Sequence, residues 1–205
     1  IEDARKLAKT MGEIGNLAGV ITNAIITSME EPLGRCVGNA LEVKEAIDFL
    51  LSDENALLSD EMKDLREVVF EISAYMMQMA GVSNDIEQNK KDILRCIVSG
   101  RAYEKFIELI QAQGGMTEEV YIDWKAKNME FPVLKDKARY FKEIHAQNSG
   151  CILAIDSKKI GDALVCLGGG RITKSDNIDY AVGFEFEKKT GDIVNAGDVI
   201  LKVIY

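Results

Sequence analysis

The segment that most constrains the fold of this chain is Val20-Ile21-Thr22-Asn23-Ala24-Ile25-Ile26-Thr27. It is an almost unbroken β-branched and apolar run that starts directly after Gly19. β-Branched residues favour extended backbone, and a strand with so few polar alternations is ordinarily buried on both faces, as in a parallel sheet covered by helices. The run therefore predicts an α/β strand. The turn-rich stretch that follows, Ser28 to Asn39, would leave its carboxyl end, where α/β folds place their ligands.

The surrounding sequence is mostly helical. Leu7, Met11, Ile14 and Leu17 recur at helical spacing within a first helix from Ile1 to about Ala18, and a second runs from Ala40 to about Leu51. From Asp60 to Met79, the residues Leu65, Val68, Val69, Ile72, Met76 and Met79 share a broad face, with the methionines read as adaptable packing. Ser83-Asn84-Asp85 supplies an N-cap for a helix through Val98 that Gly100 ends, and Arg101 to Gln113 forms the next, closed by Gly114-Gly115. Near Phe131 the texture changes. Short apolar stretches (138–145, Cys151–Ile155, Tyr180–Phe186, Val199–Val203) now alternate with turns around one helix, Lys158–Leu167, and Gly191-Asp192 and Gly197-Asp198 repeat a turn dipeptide. The expected fold class is α/β plus α+β: residues 1–130 as part of an α/β domain with a helical layer, and residues 131–205 as an α+β unit, joined near Met129–Lys135.

Charge and residue counts remove several kinds of function. With 25 Lys+Arg against 34 Asp+Glu, the net charge of −9 opposes a phosphate backbone, and the cations form no cluster beyond runs such as Lys188-Lys189. Nucleic acid is not an expected partner. No run approaches the ~20 apolar residues of a membrane-spanning helix, so no membrane partner is expected either. One histidine, His145, leaves no His-rich metal site and a single position through which Ser-His or Cys-His catalysis could run. The four cysteines, Cys36, Cys96, Cys151 and Cys166, form no C-x-x-C pair. Apolar neighbours flank the last three, which read as small buried hydrophobes in a reducing, cytoplasmic compartment rather than as disulfides. The chain opens at Ile1 inside a running helix with no leader pattern, so it is read as a piece of a longer chain.

Three stretches in order carry a resemblance. They are Pro32-Leu33-Gly34-Arg35-Cys36-Val37-Gly38-Asn39-Ala40-Leu41-Glu42-Val43-Lys44-Glu45-Ala46, then Leu167-Gly168-Gly169-Gly170-Arg171, then Ile178-Asp179-Tyr180-Ala181-Val182-Gly183 with Lys189-Thr190-Gly191-Asp192. Together they resemble the thymidine and pyrimidine-nucleoside phosphorylases over essentially the whole chain. The resemblance implies phosphorolysis: phosphate attacks the anomeric carbon of a pyrimidine (deoxy)nucleoside and releases the base and a (deoxy)ribose 1-phosphate. It implies a homodimer, and a subunit whose α/β domain is followed by a hammerhead-like α+β domain. It implies also that the glycine-rich phosphate loop and the cationic base-binding set lie upstream, so that this stretch by itself is not a catalyst. The family's monovalent, potassium-like cation site carries over through the Pro-Leu-Gly motif. Its ligands here would be the carbonyls of Leu33 and Cys36 and the carboxylate of Glu45, oxygen donors of the kind hard cations take. The family's Asp-Met-x-Gln-Pro-Leu-Gly is replaced by Ser28-Met29-Glu30-Glu31-Pro32-Leu33-Gly34. A reading from another class is a non-enzymatic module that pairs with a partner carrying the missing half.

Other features take structural readings. Gly168-Gly169-Gly170-Arg171 follows a helix instead of preceding one, so it is read as a C-cap and turn, with Arg171 structural. Lys137, in Asp136-Lys137-Ala138, invites a carrier-domain comparison, but a helix separates it from the later Gly-Asp turns. His145 reads as a strand-end residue, Asp179 as a turn or capping acid beside Asp176, and Trp124 with Tyr121 as an interdomain anchor.

Overall fold

The computed structural model describes residues 1–115 and 140–205. The expected junction at Met129–Lys135, together with Tyr121, Trp124 and Lys137, lies outside the described residues. The helices are α1 (Glu2–Leu17), α2 (Asn39–Leu50), the short α3 (Glu54–Leu57), α4 (Lys63–Met79, preceded by a 3-10 turn at Asp60–Met62), α5 (Ile86–Val98), α6 (Arg101–Ala112) and α7 (Ser157–Cys166). The strands are β1 (Cys36–Val37), β2 (Phe141–His145), β3 (Gly150–Cys151), β4 (Gly183–Phe186), β5 (Ile193–Val194) and β6 (Val199–Ile204). Helices plus antiparallel sheet match the α/β-derived helical part and the α+β part read from the sequence.

The helical layer packs because each helix turns a narrow apolar stripe inward. Ile47, Tyr103 and Ile107 join α2 to α6, with Leu50, Leu51 and Phe106 against them. Phe49, Leu57, Phe70 and Ile97 join α2, α3, α4 and α5, flanked by Leu65, Val69 and Ile93. Asp85 caps α5 as its position predicted, accepting the Gln88 N–H at 3.0 Å. Asn89 is fully buried beneath, and its amide donates to the carbonyls of Ala74 and Ser83, tying the start of α5 to the end of α4.

Three expectations need correction. Val20–Thr27 forms no strand: among the described residues it has no ladder partner, and only Thr22 of the run is half-buried, its apolar residues lying exposed. An apolar run specifies a buried strand only where neighbouring strands exist to pair with it. Helix α4 is rotated relative to the predicted face. It buries Phe70 and Ala74, while Ile72, Met76 and Met79 stay exposed. Met77, by contrast, lines an apolar cavity of about 340 Å³ between α2, α4, α5 and α6. Helix α1 buries no residue at all, and its predicted stripe, Leu7, Met11, Ile14 and Leu17, is exposed.

The sheet runs β1-β4-β6-β2, antiparallel throughout, with β3 and β5 as a second small pair. Strand β1 belongs by sequence to the helical half, yet its partner is β4, with Cys36 opposite Glu185 and Val37 opposite Phe184. The union continues into α2. The Ala40 N–H, one of the donors that a helix start leaves unpaired, reaches the Tyr180 carbonyl at 2.9 Å, and the Asn39 amide donates to the Gly169 carbonyl at 3.1 Å. The short segment 34–40 is therefore stitched to the C-terminal unit on both of its flanks.

The turn chemistry follows the sequence closely. Gly168 ends α7 at φ 94°, as the C-cap reading requires. Gly191 and Gly197 both take positive φ, and Asp192 and Asp198 accept the N–H groups of Lys189 and Asn195, so the two dipeptides form equivalent turns. Among the described residues, no helix is long and apolar enough to cross a membrane.

Candidate functional site

The loop 32–38 is where the geometry concentrates charge. Glu45, one turn into α2, points back at it, accepting the Arg35 N–H at 2.6 Å and the Cys36 N–H at 3.3 Å. The β1–β4 register leaves Cys36 in a non-hydrogen-bonded pair, since Arg35 O takes the Phe186 N–H at 2.8 Å, which frees the Cys36 N–H for Glu45. Asp64, at the start of α4, accepts the Gly34 N–H at 3.0 Å. Gly34 has φ 69°, and a Cβ there would lie 2.4 Å from a Glu45 carboxylate oxygen, so the carboxylate seats against bare backbone.

A cation is already built into this loop. The Lys189 ammonium, arriving from the turn after β4, donates to the carbonyls of Pro32 and of Gly34, the latter at 2.7 Å. It lies 3.2 Å from Asp64 and 3.9 Å from Glu31, and its side chain is only 13% exposed. The Arg35 guanidinium runs the other way, donating to the Glu187 carbonyl at 2.9 Å and the Phe186 carbonyl at 3.3 Å. Each half thus sends a cation onto the other's carbonyls.

Burial dominates the electrostatics. It pushes the Glu45 carboxyl above its usual value, with Asp64 adding to the rise, while the N–H bonds from Arg35 and Cys36 and the charge of Lys189 act against it. Burial likewise pushes the Cys36 thiol from an ordinary 9.0 up to about 12, helped by Glu45 and Glu185. None of the four cysteines is fully buried: all are free, Cys36 and Cys96 half-buried, Cys151 and Cys166 exposed. The expectation of buried cysteines fails for these last two because β3 is exposed and α7 buries none of its residues. A thiol reagent at pH 8 should therefore modify Cys151 and Cys166 quickly in the native chain and leave Cys36 intact, which has roughly a thousandfold less thiolate than an ordinary cysteine. Peptide mapping after short exposure checks this; early labelling of Cys36 would contradict it.

Of the residues predicted as ligands, Cys36 and Glu45 are brought together directly, and Leu33 stands one position before the glycine on which Glu45 rests. The donor chemistry fits a hard monovalent ion: loop carbonyls beside one desolvated carboxylate that has no ion pair among the described residues. Sequence reasoning missed Lys189 and Asp64. Lys189 was visible only as part of Lys189-Thr190-Gly191-Asp192, and nothing in the sequence around Asp64 marks it.

The remaining candidates lie apart from the loop. His145 is exposed at the end of β2, with Nδ1 2.9 Å from the Gly197 carbonyl and Nε2 3.5 Å from Glu143. Arg171 is exposed after the glycine turn. Asp179 accepts the Ala181 N–H, and Asp176 accepts the N–H groups of Ile172 and Thr173, so both organise turns as expected.

A helical part carrying an oxygen-lined loop, locked to an antiparallel α+β part, defines a two-part enzyme subunit of the glycosyl transferase class. Residues 1–103 match the glycosyl transferase family, a/b domain, and residues 151–205 match the pyrimidine nucleoside phosphorylase C-terminal domain. The pyrimidine-nucleoside phosphorylases of Staphylococcus aureus strains USA300 and N315 are each 40% identical over 203 residues, which is 99% of this chain and 43% of theirs. The chain belongs to the pyrimidine-nucleoside phosphorylase family and spans less than half the length of these relatives.

Proposed function

We propose that this chain is the C-terminal part of a pyrimidine-nucleoside phosphorylase. It would contribute to the attack of phosphate on the anomeric carbon of a pyrimidine (deoxy)nucleoside in a homodimeric, cytoplasmic enzyme. The observation that carries this reading is the likeness of 203 aligned residues to enzymes more than twice as long. Residues 1–130 would complete the α/β phosphorylase domain and 131–205 form the α+β domain, with β1 crossing between them.

In that reading the loop 32–38 holds a potassium-like cation through the Leu33 and Cys36 carbonyls and Glu45. When bound, the ion would supply fixed positive charge near the co-substrate phosphate. The residues present do the holding: Glu45 orients the backbone of Arg35 and Cys36, Lys189 holds the Pro32 and Gly34 carbonyls, and the β1–β4 pair ties both to the C-terminal unit.

Transfer of the ribosyl group also needs donors on the phosphate and on the departing base. His145 and Arg171 stand apart from the loop, and neither supplies such a set. The 205-residue chain is therefore expected to show no release of thymine or uracil from thymidine or uridine with phosphate, and to gain activity when the upstream portion of the enzyme is supplied. Turnover by the chain alone would overturn the division of labour. A reconstituted mixture with no activity would instead favour the non-enzymatic module.

A further inference from the structure

Resting on the cation reading above, we propose that Lys189 sets the charge of the ion this loop accepts. Three carboxylates converge on the loop: Glu31 and Asp64 beside the Lys189 ammonium, and Glu45 on the N–H groups of Arg35 and Cys36. Glu31 also accepts the Thr190 N–H at 3.2 Å, so the turn that delivers Lys189 is fastened at two points. Lys44, next to Glu45 in sequence, is engaged with Asp48 at 2.7 Å and leaves the loop's charge balance alone.

The consequence is electrostatic. Lys189 is a permanent single positive charge, poorly screened because it is mostly buried. It offsets the nearby acids and leaves the balance of the site near one negative charge, which a monovalent ion satisfies. A divalent ion would meet the ammonium's repulsion and find the Pro32 and Gly34 carbonyls already taken. Without the ammonium, the same loop presents three carboxylates and two freed carbonyls, the all-oxygen, high-charge set that calcium takes. Lys189 acts here as a specificity-determining and positioning residue; it is not a catalytic one.

The test is a gain of binding, which loss of a merely structural contact does not produce. Calcium chloride and potassium chloride are titrated separately, at constant ionic strength, into the wild-type chain, Lys189→Met, Lys189→Arg and the double variant Lys189→Met/Glu45→Gln. Calorimetry and the shift in thermal midpoint report binding. Lys189→Met is expected to bind calcium at least tenfold more tightly than wild type. Lys189→Arg keeps the charge and should stay at the wild-type level, and the double variant should lose most of the gain. A folded Lys189→Met chain whose calcium affinity equals wild type overturns the proposal. Should that variant fail to fold, Lys189→Gln, which retains one amide donor for the carbonyls, faces the same criterion. The parent reading is judged separately: a wild-type potassium response abolished by Glu45→Gln supports it, and a wild-type chain that ignores potassium defeats it whatever Lys189→Met does.

Discussion

Replacing Gly38 by alanine lowers the thermal midpoint of this chain by roughly 6–12 °C, the effect of about 3 kcal/mol in a domain of this size. Two costs combine. Gly38 has φ 135°, a conformation that residues with a Cβ adopt only under strain. A methyl group there would also lie 2.4 Å from the Val182 carbonyl oxygen and 3.0 Å from the Gly183 Cα, both backbone atoms with little freedom to yield. Gly183→Ala is the companion test, because the same approach seen from β4 puts its methyl 2.2 Å from Val37 O and 2.6 Å from a Leu41 methyl, with no φ penalty. Both variants should weaken the β1–β4 pair and with it the placement of Cys36, so that the native protection of the Cys36 thiol falls as well. Circular dichroism melts read the first effect and thiol labelling the second. A Gly38→Ala chain that melts with wild type would mean the two backbones do not approach this closely.

That close approach also marks where the sequence stops being legible. Local features were readable because their causes are local: Asp85 stands three residues before the N–H it caps, and the Gly191 and Gly197 turns carry their own aspartates. The helices α2, α5 and α6 follow from apolar spacing and glycine stops within a residue or so of their ends. Val20–Thr27 fails because a strand is a property of a pair, and composition names only one member. The α4 face is misjudged because one turn of uncertainty in phase moves Ile72 and Met76 from core to solvent. At the site, Glu45 and Cys36 were reachable through one motif. Their contact with Lys189 spans 155 residues from Gly34, and only the folded sheet brings that motif's partner into view.

Glu45→Gln should cost about 2 kcal/mol, roughly 4–8 °C in midpoint, at neutral pH. The carboxylate accepts two N–H groups, whereas an amide offers one oxygen and sets its own N–H donors against the other, leaving a partly buried donor unpaired. The pH dependence of this cost tells which force governs the site. Two N–H bonds and Lys189 favour the ionised form, but burial outweighs them and Asp64 reinforces it, so the folded carboxyl holds its proton above the ordinary 4.5. A native state that binds the proton more tightly than the unfolded chain gains stability that is fully present below 4.5 and is lost as pH rises through the folded value. The wild-type advantage over Glu45→Gln should thus be larger at pH 4 than at pH 7. Subtracting the variant removes other titrating groups, including Asp156 and Asp176, whose carboxyls are lowered by their own hydrogen bonds. Urea denaturation of both proteins at the two pH values measures the gap. An advantage that instead grows toward pH 7 would mean that the N–H bonds outweigh burial and that Glu45 is held as a carboxylate by the loop itself. The expected direction means the opposite: the loop supplies too little positive charge to satisfy Glu45, and a cation at this carboxylate would shrink the pH-dependent part of the gap by favouring its ionised form.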